Sequence, residues 1–177
     1  MKSELKKIIN KLSNNVLSIG LDSNLCEELN NNTKINNLDV INFESGKVRK
    51  KRLLKGKDKS KKINIKKLRK IYKKKGVDYI ICNYDIIKKY IRYFIKDSVY
   101  INNTTLYFYG NDIKTVNSIV KKYERYNVSI KTKTYSNYFI IEIDNSKSKN
   151  HFIKDKLYFI YDTISLISDY IENFLIN

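Results

Sequence analysis

Proline, tryptophan, alanine and glutamine are missing altogether from this chain of 177 residues, and histidine occurs once, as His151. Lysine, asparagine, isoleucine and tyrosine take their place, which is the signature of A+T-rich coding. The abundance of lysine or tyrosine therefore says little, whereas their distribution along the chain does. Cysteine is nearly absent too: Cys26 and Cys82 form no close-spaced pair. With a single histidine, that spacing excludes a recognisable zinc cluster, so no metal site is expected. Two free thiols and the lack of a leader-like apolar stretch set the expected compartment as a reducing cytoplasm. No apolar run approaches the ~18 residues of a membrane span. What remains is globular: apolar residues make up 42% and charged residues 31%.

The apolar pattern alternates between short runs and helical spacing. Leu5, Ile8, Ile9 and Leu12 predict an amphipathic lead-in helix over 3–12. Val16 to Gly20 predicts a buried strand. A helix from Ser23 to about Asn30, capped by Asp22 or Ser23, follows. Residues 38–43 predict a second strand, ending at Glu44. Further strands are expected at about 63–65, 78–82 and 104–109. Helices are expected over 66–75, 85–96 (with Asp85 as its cap) and from Asp112 through Tyr123. Residues 127–133 and 137–143 predict a terminal hairpin. The last helix, about 153–175, spaces Ile153, Leu157, Ile160, Ile164, Ile167, Ile171 and Phe174 by four and three in turn. That heptad suits packing on its own domain or pairing with a second copy as a homodimer.

The charge is gathered in one place. Residues 46–75 hold 17 Lys+Arg and one acid, Asp58, a net of +16 against +18 for the whole chain. The other 147 residues hold 19 basic and 17 acidic side chains, a net of +2. The same coding bias acts on both parts, so bias does not explain the segment. Its first part, 46–62, is expected to be a mobile loop. Cations at this density displace counterions from a nucleic-acid backbone. Arg49, Lys50, Lys51 and Arg52, then Lys66, Lys67, Arg69 and Lys70, are the candidate phosphate contacts. Tyr72 and Tyr84 are candidate base-stacking platforms, which favours RNA over DNA. An anionic membrane surface is the competing partner, but the loop, with no Trp or Phe and only Leu53 and Leu54, lacks the apolar wedge of an inserting helix.

The order of elements, with the glycine turn Ser18-Ile19-Gly20-Leu21-Asp22-Ser23-Asn24 after the first strand, resembles the class I S-adenosylmethionine-dependent methyltransferases over about residues 14–143. The resemblance implies an α/β, Rossmann-like sheet, mostly parallel, with a terminal hairpin inserting one antiparallel strand. Residues 1–150 would form that domain, with the basic insertion at 46–75, and 151–177 a C-terminal helix. It implies that Gly20 and Asp22 line S-adenosylmethionine and that Glu44 holds the ribose diol. Ser18 stands where the family has an acid, and Asp22 and Asn24 where it often has glycines. Asn83 and Tyr84, at the end of the fourth expected strand, fall where the family places the acceptor amine, without the family's prolines. The function so implied is methyl transfer to a nucleic acid. The alternative is a non-catalytic sheet of the same type that binds nucleic acid or a protein partner.

Overall fold

The computed structural model describes residues 2–44, 47–54, 57–62, 72, 76–88, 91, 94, 98–99, 101, 103–124, 126, 128–145 and 164, with the backbone alone for 2, 42–44, 47–54 and 57–62. The elements are α1 (Lys2–Ile9), β1 (Asn14–Ile19), α2 (Ser23–Asn31), β2 (Ile35–Glu44), β3 (Lys47–Leu54), β4 (Lys57–Lys62) and β5 (Tyr79–Asn83). They continue as α3 (Tyr84–Ile87), β6 (Thr105–Gly110), a 3-10 turn (Ile113–Thr115), α4 (Val116–Glu124), β7 (Ser129–Thr134) and β8 (Phe139–Asp144).

All eight strands join one sheet in the order β4-β3-β2-β1-β5-β6-β8-β7. The middle four, β2-β1-β5-β6, are parallel. Each end of the sheet is antiparallel. At one end β8 lies between β6 and β7 and runs against both. The α/β class and the parallel centre thus stand as expected. The strand expected at 63–65, the helix expected over 66–75 (save the helical Tyr72) and the C-terminal helix (save the helical Ile164) lie outside the described residues. So does the domain boundary at 150.

The basic segment corrects the expectation of a loop at 46–62. Its first part forms β3 and β4, which extend the sheet antiparallel from β2. Glu44 pairs with Lys47 across Ser45-Gly46, and Leu54 with Lys57 across Lys55-Gly56. Each connection is two residues long and ends in glycine, the residue that two-residue hairpin loops favour. Antiparallel neighbours need only such a connection, whereas a parallel strand would need a crossover of a dozen or more residues.

Period two divides the sheet into two faces. Leu17, Ile19, Ile41, Ile80, Cys82, Leu106, Phe108, Ile141 and Ile143 share one face with Tyr72, Ile87, Phe94, Ile119 and Tyr123. Phe108 sits at its heart, 5.5 Å from the Phe94 ring and 5.9 Å from the Tyr123 ring. Val16, Leu38, Val40, Ile81, Tyr107, Tyr109 and Ile140 share the other face with Leu5, Ile9, Leu25 and Leu29 of α1 and α2. The result is helix, sheet, helix in three layers. No helix among the described residues is long and apolar enough to cross a membrane.

Capping is partly as expected. The Asp22 carboxylate accepts from the Leu25 amide at 2.8 Å and starts α2. Asp85 does not cap the helix after β5. The Asn83 side chain does so, accepting from the Asp85 amide at 3.0 Å. Asp85 instead accepts from the Asn111 amide and side chain, at 3.0 and 3.2 Å, tying α3 to the end of β6. Asp112 precedes the 3-10 turn without a side-chain cap bond.

Candidate functional site

Strand order reverses between β1 and β5: from β1 the chain moves outward to β2, and from β5 it moves the other way to β6. Ligands of open α/β sheets bind at the carboxyl ends of strands on either side of such a reversal. Here those ends are Ile19-Gly20 and Cys82-Asn83, with Ile19 paired to Cys82. The expected site residues Gly20, Asp22, Asn83 and Tyr84 do converge on this edge.

Gly20 is left-handed, with φ +65°. A Cβ there would lie 3.1 Å from Ile86 Cβ and Cγ2. The close approach that glycine permits is therefore taken by a side chain of α3. Ile86, 41% exposed, lies across the turn. Asp22 is engaged as the α2 cap. Asn83 is engaged as the α3 cap and pairs with Tyr109 of β6 across the ladder. Tyr84 is buried, its ring edge-on to Phe139 at 5.8 Å, so it offers no face to a base. Tyr72, the other expected stacking residue, is also buried, in the same core layer.

Glu44 ends β2. Ile19, the last residue of β1, pairs with Ile41, so Glu44 lies three residues past that rung. At the rise of a strand this is about 10 Å beyond β1. The space beside Gly20 is occupied by Ile86, and Asp22 and Asn83 each cap a helix.

The sequence reading missed three members of this edge: Tyr109, Cys26 and Ile86. Tyr109, one residue before the end of β6, lies beside Asn83, Asp22 and Cys26. Burial raises its phenol above the ordinary range, and the neighbouring thiols and the Asp22 carboxylate push the same way. Burial raises the Cys26 thiol, with the Ser18 hydroxyl opposing. Both groups are thus held neutral at physiological pH, which suits a structural cluster and not a nucleophile. Tyr109 lay within an apolar strand run, where an aromatic residue carries no signal beyond burial. Among the described residues no group of acids, cysteines or histidine could hold a metal.

The second expected site is the basic segment. Arg49, Lys50, Lys51 and Arg52 lie on β3, and their register is fixed by both neighbours. Lys66, Lys67, Arg69 and Lys70 lie outside the described residues. In β3 and β4 together, residues 47–54 and 57–62, nine of fourteen positions are Lys or Arg and one is an acid. Arg49 stands opposite Lys62, Lys50 opposite Lys61, and Arg52 opposite Lys59. Like charges directly opposite each other weaken a strand pair.

No protein-family model matches this chain, and no curated protein matches it.

Proposed function

We propose that this chain is a nucleic-acid-binding protein built on a methyltransferase-like sheet, with the basic ribbon β3–β4 as its contact surface. One observation carries the reading: +16 of the net charge lies in residues 46–75, and part of that segment forms a two-stranded extension of the sheet. A polyanion relieves the repulsion within that ribbon and releases its own counterions in the same event. Phosphate contacts of this kind position a strand without reading its sequence. With Tyr72 and Tyr84 buried, base stacking gives no reason to prefer RNA to DNA, and the shared phosphate backbone is the ligand chemistry.

Methyl transfer from S-adenosylmethionine is the second reading. It is favoured by the strand order, in which β8 enters antiparallel between β6 and β7 as the family resemblance implies. Methyl transfer needs mainly alignment of donor and acceptor, so a site without a nucleophile is chemically admissible. It also needs Ile86 to leave Gly20.

The test is titration of the purified chain with single-stranded RNA, single-stranded DNA, anionic vesicles and S-adenosylmethionine. Nucleic-acid binding at 50 mM salt that falls steeply by 200 mM, with no cofactor binding at millimolar ligand, is the expected result. Tight vesicle binding without nucleic-acid binding overturns it. Micromolar cofactor binding that Glu44→Ala abolishes moves the conclusion to the enzyme.

A further inference from the structure

The pairing register sorts the cations of the ribbon onto two unlike faces. Lys50 pairs with Ile41, and Arg52 with Asp39. Residues directly opposite share a face, so Lys50 and Arg52 belong to the face of Ile41. Lys61 and Lys59 stand opposite them, and Lys57 stands opposite Leu54 on the next rung. This face of β3 and β4 carries five cations, Lys50, Arg52, Lys57, Lys59 and Lys61, and no acid. The other face carries Lys47, Arg49, Lys51 and Lys62, interrupted by Ser60 and Asp58.

The chain also returns to the first of these faces. Tyr72, near the end of the basic run, packs in the core layer that contains Ile41. At Tyr72 the chain therefore lies on the side of Lys50 and Arg52.

We propose that the face bearing Lys50, Arg52, Lys57, Lys59 and Lys61 is the one along which the phosphates of a nucleic-acid strand lie, with the opposite face contributing little. The inference rests on the nucleic-acid reading above. Two rows of cations flank the line between β3 and β4. Within each row the spacing is two residues, about 6.6–6.8 Å. A phosphate seated between Lys50 and Lys61, or between Arg52 and Lys59, neutralises a repulsive rung from both sides. For a single strand the logarithm of affinity falls against the logarithm of salt with a slope of about −0.7 per phosphate neutralised. Five contacts give a slope of about −3.5, or roughly a 100-fold loss between 50 and 200 mM salt.

The experiment compares two variants that lose equal charge. One replaces Lys50, Arg52, Lys59 and Lys61 with Thr, and the other replaces Lys47, Arg49, Lys51 and Lys62 with Thr. Threonine is a good strand former, so both keep the β character of the ribbon. Affinity for a 20-nucleotide poly(U) probe is measured from 50 to 200 mM salt, with circular dichroism as the folding control. In the first variant the slope should become shallower by about 3. In the second it should change by less than about 1. Equal losses in both variants overturn the face assignment and leave the nucleic-acid reading standing. A wild-type chain that does not bind the probe, or single-stranded DNA, at 50 mM salt overturns that reading instead. If either quadruple variant fails to fold, Arg52→Thr and Arg49→Thr make the same comparison singly: only the former should reduce the slope, and equal reductions count against the proposal.

Discussion

The parallel centre of the sheet and its basic ribbon are made from the same restricted alphabet and held together in opposite ways. In β1, β5 and β6 most positions are buried, and both faces are covered by helices. Hydrophobic transfer there, at about 1.5–3 kcal/mol per fully buried aliphatic side chain, outweighs any single charge interaction on the surface. In β3 and β4 the apolar residues are Val48, Leu53 and Leu54, and three rungs set cation against cation. The centre is stable for what it excludes, which is water. The ribbon is limited by what it lacks, which is negative charge. A fold organised this way separates its stability from its charged ribbon, and changes in one region should leave the other largely untouched.

The sharpest way to break that separation is at Phe108. Truncation to Ala removes a fully buried ring that packs on Phe94 and Tyr123. It should cost about 3–5 kcal/mol in urea unfolding, while nucleic-acid affinity of the folded fraction is unchanged. A parallel loss of intrinsic affinity would show that the two regions are coupled.

The next effect is at the switch point. Gly20→Ala forces a side chain into a left-handed turn and against Ile86, and should cost about 1–3 kcal/mol. Combining it with Ile86→Ala should recover only the clash with Cγ2 and Cδ1, since the Cβ at position 86, 3.1 Å away, and the backbone strain at φ +65° both stay. Full recovery would mean that Ile86 alone dictates the glycine, and no recovery that the conformation alone does.

The smallest effect runs the other way. Lys61→Glu sets an acid opposite Lys50, so it should stabilise the ribbon by about 0.2–1 kcal/mol. Hydrogen exchange of the β3–β4 ladder should then slow, while affinity for poly(U) falls. Slower exchange without weaker binding would separate the ribbon from the ligand.

The sequence showed some of this plainly, and the reasons are local. Val16, Leu17 and Ile19 announce β1, and Leu25 and Leu29 with Asp22 before them announce α2, because burial and capping each select a residue type at a set spacing. Leu106 to Tyr109 and Phe139 to Ile143 were legible for the same reason. The ribbon was not, because strands are recognised by apolar alternation and β3 and β4 alternate cation with cation. The available signal was punctuation: Ser45-Gly46 and Lys55-Gly56 stand ten residues apart, a strand and a turn. The cap of α3 was misplaced for a narrower reason. Asn83 and Asp85 are both good caps, and only the end of β5 decides between them. The engagement of Asn83 and the burial of Tyr84 had no sequence signature, since the same two residues would stand there in an open site.

β4 and β7 are the outermost strands among the described residues, and each carries lysine at alternate positions: Lys57, Lys59 and Lys61 on one, Lys131 and Lys133 on the other. Open strand edges invite pairing between molecules, and lysine is a common guard against it. At β7 that guard persists, with Lys131 in an ion pair to Glu142 of its own sheet and Lys133 beside it. At β4 the guard is made of the same charges that a polyanion would cancel. Solubility at that edge and occupancy of the ribbon therefore trade against each other, and the chain stays dispersed there only while its lysines remain uncompensated.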